Sequence, residues 1–182
     1  MQFYNKWNGT RLEIARYLKE NNIPEDIFRF LGIYEWQNVY NKVLVNFIDQ
    51  QYAMECGLYW ANIMNGFRKD INRIYSFTAD SAINGSWRWI EMLPEIVQCS
   101  KVYLLLEDEQ QRYARHWIAE CHPGIVHLII NDTYFSGDYY ITDKKFNWLV
   151  TENHHEIIHF IGNGLDAGII KNICQKYNCT RF

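Results

Sequence analysis

The sequence has few prolines, no long apolar run and no recognisable export signal. Three prolines in 182 residues, with 48% hydrophobic and 21% charged residues, exclude a disordered or low-complexity chain. The longest apolar stretches, such as residues 125–130, are far shorter than the roughly 20 residues that span a bilayer. The first residues lack both the apolar core and the cleavage site of a signal peptide. We therefore expect a folded cytoplasmic protein without a membrane segment.

Charges of one sign are also scarce. The chain has 18 lysines and arginines against 21 aspartates and glutamates, a net charge of −3. A protein that binds nucleic acid without sequence preference needs a basic face that neutralises phosphates, so this class is excluded. The five cysteines are odd in number and form no C-x-x-C pair, which argues against a disulfide framework or a zinc ribbon and favours free thiols.

The first part of the chain has helical patterns. A capping box predicts a helix over residues 10–21. Pro24, followed by two acids, predicts a second helix that ends at Gly32. Apolar residues recurring every three or four positions predict a helix over 35–51 and another over 58–64. Alternation within the first of these two leaves a strand open as the alternative.

The second half has mainly strand patterns. Residues 101–106 form a short apolar run that predicts a buried strand, while 122–130 fit either a helix or a strand. Phe146, Trp148 and Val150 alternate with their neighbours and are expected on one face of a strand. An antiparallel meander followed by a closing helix is predicted from these segments: strands over 139–142, 146–151 and 156–161, and a helix over 166–177.

Helices first and strands later indicate an α+β fold. We expect N-terminal helices packed with a C-terminal, mainly antiparallel sheet and a closing helix. The length suits a single domain over residues 1–182. Its helical part covers about residues 1–80 and its mixed part about 87–182.

One motif carries recognisable chemistry, the H-E-x-x-H pattern at residues 155–159. On a helix, His155 and His159 would lie one turn apart and could both reach one zinc ion, while Glu156 activated the bound water. On a strand, four residues span about 13 Å, so the two imidazoles could not share an ion. A zinc-dependent hydrolase with Glu156 as catalytic residue is therefore the alternative function, and it requires a helix here.

Three features of the sequence weigh against zinc, so no cofactor is expected. After His159 only Asp166 could serve as a third ligand, and the longer zinc pattern places Leu165 at that position. No methionine follows Met92, so the methionine turn of that protease class is missing. The meander, finally, includes residues 156–161 as a strand.

Aromatic and acidic residues suggest a protein interface. Aromatic residues make up 16% of the chain and include Trp87 and Trp89 around Arg88. Such residues either fill a core or anchor an interface, where tyrosine, tryptophan and arginine concentrate. The acids at 107–109 would suit a partner with a basic surface, although a solvated turn explains them equally well. The candidate binding residues are Glu107, Asp108, Glu109, Trp148 and His154.

Five segments of the C-terminal half resemble small uncharacterised bacterial proteins: W-R-W-I at 87–90, V-Y-L-L-L-E-D at 102–108, D-Y-Y-I at 138–141, K-K-F-N-W-L at 144–149 and N-H-H at 153–155. The chain is similar in build to cytoplasmic α+β proteins that serve as immunity partners of secreted polymorphic toxins. The resemblance implies a binding role and a placement of His154 and His155 on a strand and turn. It transfers no catalytic residue.

The sequence thus predicts a non-enzymatic binding protein of the bacterial cytoplasm. Most concretely, we expect an immunity protein that neutralises a toxin domain by covering its active site. The expected partner is a protein, with a toxin domain that has a basic surface as the candidate, and neither nucleic acid nor a membrane.

Overall fold

The structure, a computed structural model, describes residues 9–58, 66–78, 86–107, 116–133, 135, 137–176 and 180–181. For residues 86–88 and 180–181 it describes the backbone only. The helices of this part are α1 (Gly9–Glu20), α2 (Ile33–Phe47), α3 (Gln50–Cys56), α4 (Leu93–Val97), α5 (Pro123–Asp132) and α6 (Ala167–Lys176). A 3-10 helix over Ser86–Met92 precedes α4. None of the described helices is both long and apolar enough to cross a bilayer.

The strands form one antiparallel sheet. They are β1 (Phe28–Phe30), β2 (Ile74–Thr78), β3 (Val102–Glu107), β4 (His116–Cys121), β5 (Tyr139–Asp143), β6 (Trp148–Glu152), β7 (Ile157–Gly162) and β8 (Thr180–Arg181). Their order in the sheet is β1-β4-β3-β5-β6-β7-β2-β8. The predicted α+β fold is confirmed, but β1 and β2 come from the part of the chain that was expected to be helical.

Helices cover both faces of the sheet. One hydrophobic cluster joins the inner side chains of α1, α4, α5 and α6 to alternate strand residues such as Leu104 and Val150. A second cluster joins α2 to the strand residues that point to the opposite face of the sheet, including Leu105 and Leu149. Because neither face of the central strands meets water, their sequences are nearly continuous apolar runs rather than alternating patterns.

The helix predicted between Pro24 and Gly32 is wrong. Residues 24–27 form a turn, in which the N–H groups of Ile27 and Phe28 donate to the carbonyl of Pro24, and β1 follows. This strand pairs with β4, with Phe28 opposite Cys121. Proline and two acids suit a turn as well as a helix start, and pairing with a distant strand decides between them.

The helix predicted over 35–51 is two shorter helices in the structure, and of the helix predicted over 58–64 only Leu58 lies within the described residues. The first is α2, which ends at Phe47. The second begins at Gln50, where the Asp49 carboxylate accepts hydrogen bonds from two backbone N–H groups, and ends at Cys56. Leu58 therefore lies after this helix, and residues 59–64 lie outside the described part of the chain. The segment that fitted helix or strand is the helix α5, with proline in its first turn.

The meander and the closing helix are confirmed as β5, β6, β7 and α6. Trp148 and Val150 share one face, as predicted. Phe146 does not join them, because it lies in the preceding turn with φ of +58° and packs toward the opposite face, where it stacks on Tyr103 at 5.8 Å between ring centroids.

Candidate binding surfaces

Polar side chains gather at one end of the sheet, where four adjacent strands begin or end. β3 ends at Glu107 and β4 begins at His116, its register partner. β5 begins directly after Asp138, and β6 ends at Glu152. The exposed fractions of these four residues lie between 2% and 8%. Ionisable groups are seldom buried unless they are paired, so this region, called the polar end below, is the first candidate site.

An aspartate and a histidine pair at the polar end. His154 Nδ1 lies 2.9 Å from Asp138 Oδ1, and the backbone N–H of His154 donates to the same oxygen. The carboxylate is 3% exposed, whereas the imidazole is 41% exposed. Because an ionised carboxylate only accepts hydrogen bonds, the shared proton belongs to Nδ1 and the ring presents Nε2 on its other side. A histidine whose Nδ1 faces a carboxylate and whose Nε2 lies on the other side of the ring is common in acid–base and metal sites.

The segment of the H-E-x-x-H pattern is a turn followed by a strand. His155 lies in the turn, and Glu156 has φ of +60°. His159 is buried within β7, where its Nδ1 lies 2.7 Å from the hydroxyl of Ser76 on β2. The strand-and-turn placement is therefore confirmed, and the helix that the zinc hypothesis requires is not formed at these residues.

Glu152 is a buried carboxylate held by two neutral donors. The indole N–H of Trp89 donates to Glu152 Oε2 at 2.6 Å, and the hydroxyl of Tyr139 donates to the same oxygen. A buried carboxylate without such donors would be strongly destabilising. This arrangement joins the 3-10 helix to β5 and β6, and it positions the polar end rather than offering a reactive group to solvent.

Two buried tyrosines should make the free energy of unfolding depend on pH in the alkaline range. Burial raises the pKa of Tyr139 and of Tyr140 well above the ordinary value, and the nearby carboxylates Glu152 and Asp138 add to this effect. Below about pH 10 each phenol is protonated in both the folded and the unfolded state. Above that pH the unfolded chain loses the proton, whereas the folded chain still holds it. The free energy of unfolding should therefore fall as pH rises from about 10, by up to about 1.4 kcal/mol per pH unit for each tyrosine.

Urea unfolding between pH 8 and pH 11 measures this dependence. Tyr140→Phe should flatten the alkaline slope, whereas Tyr34→Phe, a control whose ring is 90% exposed, should leave it unchanged. A slope that Tyr140→Phe does not alter would contradict the assignment.

The structure places the other predicted binding residues differently from the expectation. Glu107 is 8% exposed and Trp148 is 3% exposed in the core, so neither can anchor a partner at the surface. Glu107 is buried because β3 continues to it, and its N–H donates to the carbonyl of Asp138 at 2.9 Å. Asp108 and Glu109 lie outside the described residues. Of the predicted binding residues that are described, His154 alone is substantially exposed.

The outer face of α2 is a second candidate site, and residue types alone did not indicate it. Tyr34 is 90% exposed and Val45 is 69% exposed, and the exposed residues between them on the same stripe include Asn38 and Asn41. This stripe, called the outer stripe below, carries no charge. Met54 on the adjoining helix α3 is 75% exposed. Interface cores are depleted of charge and enriched in tyrosine and methionine in this way.

Both charged residues of α2 lie beside the outer stripe and have contacts within the chain. The Glu35 carboxylate accepts two hydrogen bonds from the guanidinium of Arg29, each 3.0 Å long. The ammonium of Lys42 lies 5.3 Å from the centroid of the Phe146 ring. An exposed helix face normally keeps charged residues toward water, so the neutral stripe is an unusual solvent face.

A crevice opens at each end of α2. The α1–α2 crevice, of about 300 Å³, has walls from α1, the start of α2 and β4. The α2–α3 crevice, of about 960 Å³, lies beside Val45 and Met54. The helix between them is about 22 Å long. Asn41 and Val45 of the outer stripe line the α2–α3 crevice, and Ile33 and Trp36 of the same helix line the α1–α2 crevice.

A helical projection of the sequence could have found the outer stripe. Tyr34, Asn38, Asn41 and Val45 are spaced by four, three and four residues, which places them on one side of a helix. The buried Val39, Val43 and Phe47 occupy the opposite side. The signal is the neutral composition of the side that faces away from the core.

Comparison with known proteins identifies a family and no individual relative. The family model described as "Family of unknown function (DUF6756)" matches residues 6–173, which is most of the chain. No curated protein and no solved structure matches the chain.

Proposed function

This chain belongs to the family of unknown function DUF6756, and we propose that it is a non-enzymatic binding protein of the bacterial cytoplasm. It acts as an immunity protein, which neutralises a toxin domain by binding it directly with the outer face of α2 and α3. The observation that carries this proposal is the uncharged, exposed outer stripe from Tyr34 to Val45.

Exposed apolar area favours a protein partner for this face. Among the described residues, the large hydrophobic side chains with the highest exposure are Tyr34, Met54, Val45 and Ile33, and all four belong to α2 or α3. Exposed apolar side chains that concentrate on one face beside polar residues are typical of protein-binding sites. The polar rim here is formed by residues such as Arg68 and Asp70.

The rigidity of α2 also supports a binding role. Val43 is fully buried against the sheet, and Val39 and Phe47 are 4% and 3% exposed. The hydroxyl of Tyr40 accepts a hydrogen bond from the N–H of Leu58, which connects α2 to the end of the α3 segment. A preformed surface loses little conformational entropy when it binds. The net charge of −3 favours a partner of opposite charge.

The test is co-expression of the chain with the protein encoded by the neighbouring reading frame, which the proposal identifies as the toxin. The chain should restore growth and form a complex with the purified toxin domain. Tyr34→Glu and Val45→Glu should each weaken this complex at least about tenfold, and the double variant should abolish rescue, since a charge placed in an interface core is desolvated without a partner.

A matched control lies on the opposite layer of the fold. Asn172 is an exposed residue of α6, and Asn172→Glu introduces the same charge away from α2. It should rescue growth fully. Rescue by the Tyr34→Glu, Val45→Glu double variant, or no neutralisation of the toxin by the unaltered chain, would overturn the proposal.

A further inference from the structure

The α1–α2 crevice exists because the edge strand of the sheet is shorter than its neighbour. β1 ends at Phe30, opposite Ala119, whereas β4 begins three residues earlier, at His116. After β1 the chain leaves the sheet, with the N–H of Leu31 donating to the carbonyl of Ile118 at 2.8 Å. The start of β4 is therefore open on this side, between α1 and α2.

A guanidinium is held at the mouth of this crevice. The Arg11 guanidinium carbon lies 4.9 Å from the centroid of the Phe30 ring and 5.1 Å from that of Trp117. Two aromatic contacts fix the direction of a side chain that would otherwise be mobile. Within the described ranges no carboxylate forms an ion pair with Arg11, which is exposed and lines the crevice.

The remaining walls are mainly apolar and aromatic. Trp36 and Trp117 line the crevice together with Leu31 and Ile33. Among the lining residues described, Arg11 is the only residue that is an arginine, lysine, aspartate or glutamate. A guanidinium matches the geometry of a carboxylate, which can accept two parallel hydrogen bonds from it. A volume of about 300 Å³ is at the small end of ligand pockets, and it suits one aromatic group.

We propose that the α1–α2 crevice binds a carboxylate carried on an aromatic group, with Arg11 pairing with the carboxylate and Trp36 and Trp117 packing on the ring. This inference rests on the proposed function, because the occupant is a segment of the partner that presents an aromatic side chain beside a carboxylate. The crevice lies at the N-terminal end of α2, where its lining residue Ile33, which is 64% exposed, directly precedes Tyr34 of the outer stripe.

The probes are phenylacetate and its neutral amide, phenylacetamide, added to the full chain. Phenylacetate should shift the indole N–H signals of Trp36 and Trp117 in NMR spectra, and phenylacetamide should bind at least about tenfold more weakly, since it lacks the charge that pairs with a guanidinium. Arg11→Ala should abolish the preference for the acid. Arg11→Lys should keep part of it, because an ammonium retains the charge but not the two-pronged geometry.

Arg16 provides the matched control on the same helix. It is 66% exposed and 3.9 Å from Glu20, outside the crevice, so Arg16→Ala should bind phenylacetate as the unaltered chain does. Equal binding of acid and amide, an unchanged preference in Arg11→Ala, or no binding of either probe at any soluble concentration would overturn the inference.

The outcomes separate this inference from the proposed function. A chain that neutralises the toxin and loses this ability in the Tyr34→Glu, Val45→Glu double variant, but does not distinguish the two probes, supports the binding role and refutes the aromatic carboxylate. A chain that binds phenylacetate more tightly than phenylacetamide but neutralises no toxin refutes the immunity role and supports the aromatic carboxylate site.

Discussion

Replacement of Trp89 with alanine should lower the free energy of unfolding by about 5 kcal/mol. Trp89 is 1% exposed and its ring packs edge-on against Phe160, with 5.4 Å between the centroids. Truncation of a buried tryptophan costs about 3–5 kcal/mol through lost burial and the cavity left behind. The loss of the N–H that donates to Glu152 adds about 1–3 kcal/mol. Since whole domains are stable by about 5–15 kcal/mol, the variant should be close to unfolding.

Trp89→Phe separates the two parts of this effect. Phenylalanine keeps most of the buried ring but removes the donor, so it should cost about 1–3 kcal/mol, clearly less than alanine. Urea unfolding at pH 7, followed by circular dichroism, measures both variants. If Trp89→Phe were as stable as the unaltered chain, the hydrogen bond from the indole to the Glu152 carboxylate would have no role in stability.

The second large effect is expected at Gly162, where two strands approach closely. Gly162 has φ of +95°, and a Cβ at this position would lie 2.5 Å from the carbonyl oxygen of Asn147 and 3.0 Å from the Cα of Trp148. Both are backbone atoms of the neighbouring chain segment, so they cannot move without disturbing the register of β6 and β7. Gly162→Ala should therefore cost about 4 kcal/mol, from the unfavourable backbone conformation and the forced shift together.

Gly164 supplies a control for the backbone conformation alone. It has φ of +97°, but its added Cβ would meet only the Trp148 side chain, at 3.6 Å, which is an ordinary contact. Gly164→Ala should thus cost about 1–2 kcal/mol. Thermal or urea unfolding of both variants gives the difference between them, which reports the close approach. Equal losses of stability in the two variants would contradict this interpretation.

The sequence was most informative where neighbouring residues decide the structure. The meander was predictable because polar turns separate stretches of strand-forming residues, and adjacent hairpin strands pair with each other. β1 was not, because three residues show no periodicity and its pairing partner, β4, lies far along the chain. β4 was equally hard to predict, since both faces of the sheet are covered there and the alternation of polar and apolar residues is lost.

The candidate site was harder to predict, because residue type does not reveal burial. Tryptophan commonly anchors an interface and glutamate commonly lies at its rim, yet Trp148 and Glu107 are both buried. The outer stripe of α2 consists mainly of asparagines and one exposed tyrosine. These residue types indicate an interface only when it is known which side of the helix is exposed. The zinc pattern, in contrast, could be judged from backbone geometry alone, because it needs a helix and residues 155–159 form a turn followed by β7.

The order of the strands also determines when the molecule can fold. β1 and β2 are made early in synthesis, but their partners β4 and β7 are made much later. Until the ribosome has released those segments, the early strands have no neighbours, and α2 has no sheet against which to bury Val43. Contacts between distant parts of the chain slow folding. A fragment that stops before β4 lacks Ile118 and the cluster residues of β5, β6 and β7 against which α2 is buried, so the helix that carries the outer stripe should lack its support in such a fragment.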